Sequence, residues 1–234
     1  MIDALILRFD APLVSFGGVV IDANGVTRLY PARSMLVGLL GNALGFDHRD
    51  AEPLQGLQAR IRYAVRCDRP GQLMRDFQTV DLSQPFLARG WTTRGIAQGR
   101  AGADATRTGI HIRYRDYLAD SIYTVGLTLE PPDDPPNVER LEAALRVPAR
   151  PLFIGRKPCL PAAPILVGRL TGDSWTEILS KAPLSKRVRE NRLRIWLPAD
   201  GPHVRGALPI TDERDWTNQI HVGRRFILED SIDV

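Results

Sequence analysis

The feature that most constrains the fold is a strand that leads through a basic, proline-marked turn into a helix at residues 30–44 (YPARSMLVGLLGNAL). The strand, residues 4–9 (ALILRF), alternates with the period of two that is typical of a sheet with one packed face. In the helix, apolar residues recur at helical spacing from Leu36 onward, and Ser34 stands where an N-cap belongs. The sequence therefore predicts a strand followed by a helix that Ser34 caps.

The start of this helix is a candidate phosphate site. Backbone N–H groups in the first turn of a helix have no partner within the helix and favour a bound anion. Arg28 and Arg33 lie close by, and the planar fork of arginine suits phosphate groups. We therefore predict that Arg28, Arg33 and Ser34 bind nucleic-acid phosphates. The alternative is that both arginines are solvated surface charges.

Further strands and a second helix follow in a fixed order. Residues 60–67 alternate a packed face with a basic face that includes Arg66, and residues 121–129 repeat the alternation. A proline-rich turn then leads to Asn137, which is placed to cap a short helix. The order strand, helix, strand, strand, helix is typical of an α+β fold.

One more strand, at residues 152–154 or 165–170, would complete the split β-α-β arrangement of a ferredoxin-like domain. Such an RRM-like core covers one sheet face with helices and leaves the other face available, as RNA-recognition modules do. We therefore expect an α+β fold with a ferredoxin-like core over residues 1–150 and a smaller C-terminal lobe over residues 151–234 packed on it.

The stretch from about residue 77 to 115 is too long for an ordinary hairpin loop. It is rich in arginine and glycine, with aromatic rings between them, and it has too few apolar residues to form its own core. The arginines are Arg89, Arg94, Arg100, Arg107, Arg113 and Arg115, and the rings are Phe77, Phe86, Trp91 and Tyr114. An inserted arm that tracks a nucleic-acid backbone is one interpretation, and a solvated flexible loop is the other.

Composition limits the function less sharply. The net charge is +4, and 28 of the 31 basic residues are arginine, which favours phosphate contacts, although a genome rich in G and C would give the same bias. Cys67 and Cys159 match no metal spacing and no disulfide framework, which suits the reducing cytoplasm. We therefore expect both to be free, buried cysteines.

No apolar run is long enough to span a membrane. A second basic run, residues 186–194, fits a solvated helix face or a protein-contact patch.

Signs of catalysis are scarce. His48, His111, His203 and His221 occur singly, without the i, i+4 spacing of a helical zinc site, so we expect no metal and no other cofactor. His111, near Arg113 and Tyr114, could act as an acid or base in metal-independent RNA cleavage, but a surface imidazole is the simpler interpretation. Residues 155–157 (Gly-Arg-Lys) could bring backbone and Arg156 close to a phosphate.

Several blocks follow one another along about the first 170 residues. They are LILRF in the first strand, the Tyr-Pro-x-Arg-Ser helix entry with its glycine-spaced leucines, YAVRCD, DFQTV, RDYLADSIYTVGL and PLFIGRKPCLPAAPI. In this order they resemble the CasD family, the handle-binding subunits of type I-E CRISPR Cascade complexes. The resemblance implies a ferredoxin-like core with an inserted β-hairpin thumb.

The resemblance also implies partners. A protein of this family would bind the 5′ handle of CRISPR RNA, cap the helical backbone of CasC-like subunits, contact the CasA-like large subunit, and meet target DNA through the assembled complex. RNA processing in type I-E systems belongs to a separate subunit, so the chain would not be an enzyme. In related type I-C systems the equivalent subunit is itself a nuclease.

Roles for single residues follow from the two lines of reasoning together. Arg28, Arg33, Ser34 and Arg156 would hold backbone phosphates. In the inserted segment, Arg94, Arg107 and Arg113 would clamp the strand, and Tyr114 or Trp91 would stack on a splayed base. Two alternatives remain: a metal-independent repeat endoribonuclease that uses His111, and a scaffold subunit whose basic runs face acidic proteins.

Overall fold

We describe the protein from a computed structural model. The structure describes residues 1–81, 89–91, 97–99 and 110–234, and for residues 89–91 and 97–99 it describes the backbone alone. The helices of this part are α1 (Arg33–Leu44), α2 (Ala51–Arg60), α3 (Val138–Arg146) and α4 (Trp175–Lys181). The strands up to α3 are β1 (Ile2–Val14), β2 (Val20–Ile21), β3 (Asn24–Gly25), β4 (Ile61–Arg69), β5 (Gln72–Asp81), β6 (Arg89–Trp91), β7 (Ala97–Gly99) and β8 (Ile110–Leu129). The later strands are β9 (Leu166–Gly172), β10 (Arg192–Ala199), β11 (Leu208–Ile210), β12 (Glu213–Asp215), β13 (Ile220–Val222) and β14 (Arg225–Asp233).

A large mixed sheet dominates the fold. Within the described residues its main path runs β11-β14-β10-β4-β8-β1-β9, and β5, β3 and β2 join at its side. The 20-residue strand β8 lies at its centre, and it pairs antiparallel with β1, β4 and β5. The mixed α+β class predicted from the sequence is confirmed, with few helices against one large sheet.

The sheet has helices on both faces. On one face, Leu5, Leu7 and Phe9 of β1 pack with apolar residues of α1, α2 and α3 in the main core. On the other face, Ala4 and Ile6 pack against α4. The alternation predicted for β1 is therefore correct, but both of its faces are buried.

Helix α4 corrects the interpretation of β4. The predicted basic face of this strand includes Arg66, which is in fact fully buried beneath α4. Its guanidinium donates to the carbonyl oxygens of Leu179, Ala182 and Pro183 and pairs with buried Asp68. Arg66 therefore holds the C-terminal end of α4 on the sheet and is not available to nucleic acid.

Helix α1 also differs from the prediction at its start. Its N-cap is Ala32, and Ser34 lies inside the first turn and does not cap it. At its other end, Gly45 adopts the left-handed conformation, and Gly41 allows a close approach because a Cβ there would lie 2.6 Å from Leu54 Cδ2 of α2. The helix predicted after Pro136 is confirmed as α3. Its predicted cap is also confirmed, because the Asn137 side chain accepts a hydrogen bond from Arg140 N.

The C-terminal part of the chain extends the same sheet. The strand predicted at residues 165–170 corresponds to β9, whereas residues 152–154 form no strand. The basic run at residues 186–194 lies in a loop and at the start of β10. Hairpin β12–β13 forms its own small sheet and docks on α1 and α2. In the described part of the chain, no helix is long and apolar enough to cross a membrane.

Candidate nucleic-acid interface

A basic cavity lies along α1, from Ser34 to Asn42. It has a volume of about 670 Å³ and an apolar floor that includes Met35, Leu39 and Trp216. Its lining includes four basic side chains, those of Arg150, Arg156, Lys157 and Arg214, and the imidazoles of His48 and His221. Among the described residues that line it, Asp47 is the carboxylate. A cavity of this size and charge suits an anionic ligand with an apolar ring.

A β-ribbon continues this basic surface. Strand β8 runs beyond the core, paired with β5 on one side and with β3 on the other. Alternate residues of a strand share a face, so Arg113 and Arg115 lie on the same side of the ribbon. Gly25 of β3 lies directly opposite Arg115, and a Cβ on it would lie 2.5 Å from Arg115 Nη1 and 2.9 Å from Arg156 Nη2. The missing side chain leaves room for two guanidinium groups.

Arg156 links the ribbon to the cavity. Its guanidinium donates to the carbonyl oxygens of Asp116 at 2.9 Å and Gly25 at 2.8 Å, and it lies 5.0 Å from the centre of the Tyr117 ring. Gly155 before it approaches the backbone of Ser15, where a Cβ would overlap a carbonyl oxygen. The close approach predicted for this glycine is therefore used inside the protein, while Arg156 itself lines the cavity.

The opposite face of the ribbon carries a cluster of apolar and aromatic side chains, with Arg75 at its edge. Tyr114 and Phe77 lie opposite each other in register, with ring centres 5.7 Å apart, and Arg75 lies 5.8 Å from the Tyr114 ring. Ile112 and Ile21 share this face, and Ile21 and Phe77 are more than half exposed. Arg113 and Tyr114, adjacent in sequence, therefore face opposite sides.

The start of α1 already holds an internal anion. The Asp212 carboxylate accepts a hydrogen bond from Arg33 N at 3.0 Å, and the Asp212 carbonyl accepts one from Ser34 N at 2.9 Å. These backbone groups are therefore not free, which corrects the sequence-based picture of an open phosphate site. Burial alone would raise the pKa of Asp212, but Arg225, bonded at 2.7 and 2.8 Å, and the Arg33 N–H hold that pKa below its ordinary value.

The two arginines predicted near this helix are also engaged. Arg33 Nη1 pairs with Glu213 at 2.5 Å, and its side chain is only 12% exposed. Arg28 Nη2 donates to Thr211 O at 2.6 Å. Both side chains therefore hold the segment that leads into β12–β13, and Ser34 lines the cavity.

Hairpin β12–β13 forms one wall of the cavity. Gln58 of α2 holds it, because the Gln58 amide donates to Arg214 O at 2.8 Å and accepts from Arg214 N at 3.0 Å. Trp216 Nε1 also donates to Gln58 Oε1 at 3.3 Å. The hairpin thereby brings Arg214 and His221 to the cavity.

The remaining predicted residues divide into two groups. Arg94 and Arg107 lie outside the described residues, and of Trp91 only the backbone is described. Exposed His111 lies on the ribbon, opposite Val80. In the part of the chain that the structure describes, no three His, Cys, Asp or Glu residues are grouped as metal ligands.

Sequence reasoning missed Arg150, Arg214, Trp216 and His221. Arg150 belongs to no motif recognised in the sequence. The other three fall in a segment without a clear hydrophobic periodicity. The signal that these three share is a set of basic residues near a tryptophan in residues 214–224. This signal indicates a site only once the hairpin is known to pack on α2.

Comparison with known proteins identifies the class. The family described as CRISPR-associated protein (Cas_Cas5) matches residues 4–227. This chain therefore belongs to the Cas5 family of CRISPR-associated proteins.

The resemblance seen in the sequence is confirmed by a curated relative. The CRISPR system Cascade subunit CasD of Escherichia coli (strain K12) is 32% identical over 181 residues, which are 77% of this chain and 77% of the relative. Two solved structures share the fold. One, titled "CRISPR RNA-guided surveillance complex", is 24% identical with a TM-score of 0.74 and covers 99% of this chain and 90% of its own. The other, "Crystal structure of Cas protein", is 25% identical with a TM-score of 0.65 and covers 98% and 95%.

Proposed function

We propose that this chain is a non-catalytic subunit of a type I-E CRISPR surveillance complex, and that it binds the 5′ handle of the CRISPR RNA. The observation that carries the proposal is the series of arginines that leads from Arg113 and Arg115 on the ribbon, past Asp76 opposite Arg115, through Arg156 to the cavity. Single-stranded RNA binds surfaces that combine cations along its backbone with apolar or aromatic seats for its bases.

The predicted residues would act in two ways on this surface. Ser34, Arg113 and Arg156 would contact the RNA, together with exposed Lys157. Arg28 and Arg33 would act mainly through the cavity wall that they hold. Arg94 and Arg107 remain predicted clamps on the inserted segment, supported by their sequence position alone.

The architecture would be a ferredoxin-like core with an inserted β-hairpin thumb. Its support is the strand order β9-β1-β8-β4, with α1 and α2 between β1 and β4 and with α3 between β8 and β9. The ribbon of β5 and β8 would form the base of the thumb. Of residues 151–234, predicted as a smaller lobe, β9 would complete this core, and the chain after β9 would pack on the core through the pairing of β10 with β4.

Protein partners would use the other face of the ribbon. Its apolar residues, with Tyr114 and Phe77 in contact, would pack on the last of the CasC-like backbone subunits, which this chain would cap. The CasA-like large subunit would lie next to it, and target DNA would meet the chain only through the assembled complex. Tyr114 would then contribute to assembly, and the aromatic side chain on which a base stacks would lie in the cavity.

Labelled repeat RNA incubated with the purified protein in chelator tests the proposal. We expect the RNA to be shifted on a native gel, intact on a denaturing gel, and bound more weakly when the handle sequence is scrambled. Lys157→Ala should weaken binding, whereas Lys186→Ala, an exposed lysine outside this surface, should not. A cleavage product that disappears in His111→Ala would overturn the proposal in favour of the processing nuclease.

A further inference from the structure

We propose that Arg214 and His221 of hairpin β12–β13 form a binding site for one backbone phosphate of the RNA, and that His221 takes up a proton when this phosphate binds. The proposal rests on the proposed RNA-binding function and adds a site, a ligand group and a pH dependence to it.

The first argument is position. Arg214 of β12 and His221 of β13 lie directly opposite each other in register, and directly opposite residues of an antiparallel pair share a face. Both residues line the basic cavity. A phosphate placed against this wall would meet two nitrogen donors from neighbouring strands.

The second argument is rigidity. Gln58 bonds both backbone groups of Arg214, and the Trp216 indole N–H bonds the same amide. The Arg214 guanidinium lies 5.4 Å from the centre of the Trp216 ring, and its Nη2 donates to Gln219 O at 3.3 Å. A site held in this way loses little conformational entropy when a ligand binds.

The third argument is the missing anion. Within the described residues, Arg214 makes no ion pair, and its Nε and the Nδ1 of His221 are buried without a hydrogen-bond partner. The carboxylates beside Arg214 in sequence have other partners: Glu213 pairs with Arg33, and Asp215 bonds Thr217 N and Asn218. Asp212 pairs with Arg225. The half-buried Arg214 guanidinium thus bonds the Gln219 carbonyl but has no counter-ion among the described residues, and a phosphate would supply one.

The surroundings of His221 explain why it would take up a proton when the phosphate binds. Burial is the largest cause that lowers its pKa, and the charges of Arg214 and Arg28 lower it further, while Glu213 and Asp212 oppose this weakly. Across the cavity stand Asp47, His48, Arg150, Arg156 and Lys157. The imidazole is therefore neutral near pH 7 in the free protein, and an adjacent phosphate would raise its pKa by supplying the missing negative charge.

The sign of the pH effect follows by linkage. A group whose pKa is higher in the complex than in the free protein takes up a proton on binding, so RNA affinity rises as the pH falls through the bound-state pKa. The RNA affinity stops rising once the pH is below the pKa of His221 in the free protein. The slope can reach about a tenfold change in Kd per pH unit for one linked proton.

Two measurements on the full chain test the site. The Kd for labelled handle RNA is measured between about pH 5.5 and 8.5 for the wild type, Arg214→Ala and His221→Gln. In parallel, imidazole NMR signals of the four histidines are followed with and without RNA, with the His221 signal assigned from its loss in His221→Gln. Exposed Arg205→Ala and His203→Gln are the matched controls.

We expect Arg214→Ala to weaken binding about tenfold, in line with the loss of a charge-assisted hydrogen bond, and His221→Gln to flatten the pH dependence. The His221 signal should report a higher pKa with RNA than without it. Binding that is equally pH-dependent in the wild type and His221→Gln, or a His221 pKa that RNA leaves unchanged, would overturn the site but leave RNA binding standing. Failure of the wild type to bind RNA at any pH would overturn the proposed function itself.

Discussion

Asp212 accepts a hydrogen bond from the backbone N–H of Arg33, across 179 residues of sequence. A carboxylate of the chain thus occupies the helix start where a phosphate would otherwise be favoured. The same carboxylate accepts two hydrogen bonds from Arg225 and one from the Tyr63 hydroxyl. One buried anion therefore joins α1, β4 and the entry to hairpin β12–β13. The basic cavity depends on this junction for its wall.

Replacement of Asp212 by Asn should therefore destabilise the protein by about 3 kcal/mol, because Arg225 would be left buried without its counter-ion. The pKa of Asp212 is lowered in the fold, so its stabilisation is complete above the unfolded-state pKa of about 3.9 and is lost as the pH falls through the folded-state pKa. Urea unfolding from pH 7 to pH 3 should show the wild type and the variant converging at the acid end.

Asp233→Asn, at an exposed position, is the control and should leave the free energy of unfolding nearly unchanged. A constant difference between the wild type and Asp212→Asn over the whole pH range would show that the carboxylate charge does not carry this stabilisation.

Gln58→Leu should release hairpin β12–β13 from α2. The substitution leaves the N–H and the carbonyl of Arg214 without their partner, at a cost of about 2 kcal/mol, but it keeps the volume of the side chain. We expect faster amide hydrogen exchange in residues 213–222 and weaker RNA binding. Gln55→Leu is the matched comparison, since exposed Gln55 accepts only a 3.4 Å bond from Trp216 N and should change exchange far less.

The two faces of the ribbon should separate RNA binding from assembly. Arg115→Ala removes a cation from the basic face and should lower both the affinity for handle RNA and the salt dependence of binding, the latter by somewhat less than one unit of slope. Phe77→Ser, on the apolar face, should leave the affinity of the isolated protein unchanged but reduce its recovery in a complex with the backbone subunits. Equal effects of both variants on RNA affinity would contradict this division.

Arg66→Met should be among the most destabilising single substitutions, at about 3–5 kcal/mol, because Asp68 would remain buried without its partner. A second change, Asp68→Asn, should restore part of that loss, and thermal unfolding of both variants would measure it. Arg62→Met on the same strand is the control, since its side chain is about one-third exposed and pairs with Glu130 at the surface.

The sequence predicted the parts of the fold that depend on local pattern. The strand around Leu5 and Leu7, the helix after Pro31 and the Asn137 cap follow from periods and capping preferences that act over a few residues. The resemblance carried by blocks such as YAVRCD identified the family. These features do not depend on distant contacts.

The sequence did not predict what covers a surface or completes a site. A period of two places Arg66 on the second face of β4, but it does not say that α4 will bury that face. Likewise, Arg28 and Arg33 look free until Thr211 and Glu213 are brought to them from the other end of the chain. The cavity is missed for the same reason, because lining residues such as Met35, Arg150 and Trp216 are far apart in sequence.

The distance between Arg33 and Asp212 also sets an order of events during synthesis. A ribosome adds about 5–20 residues per second, so the 179 residues between the two partners correspond to roughly 10–35 s of translation. Throughout that interval α1 exists without the carboxylate at its start, and the cavity without Arg214 and His221. The proposed RNA-binding surface is therefore incomplete in the nascent chain until the C-terminal hairpin has been synthesised.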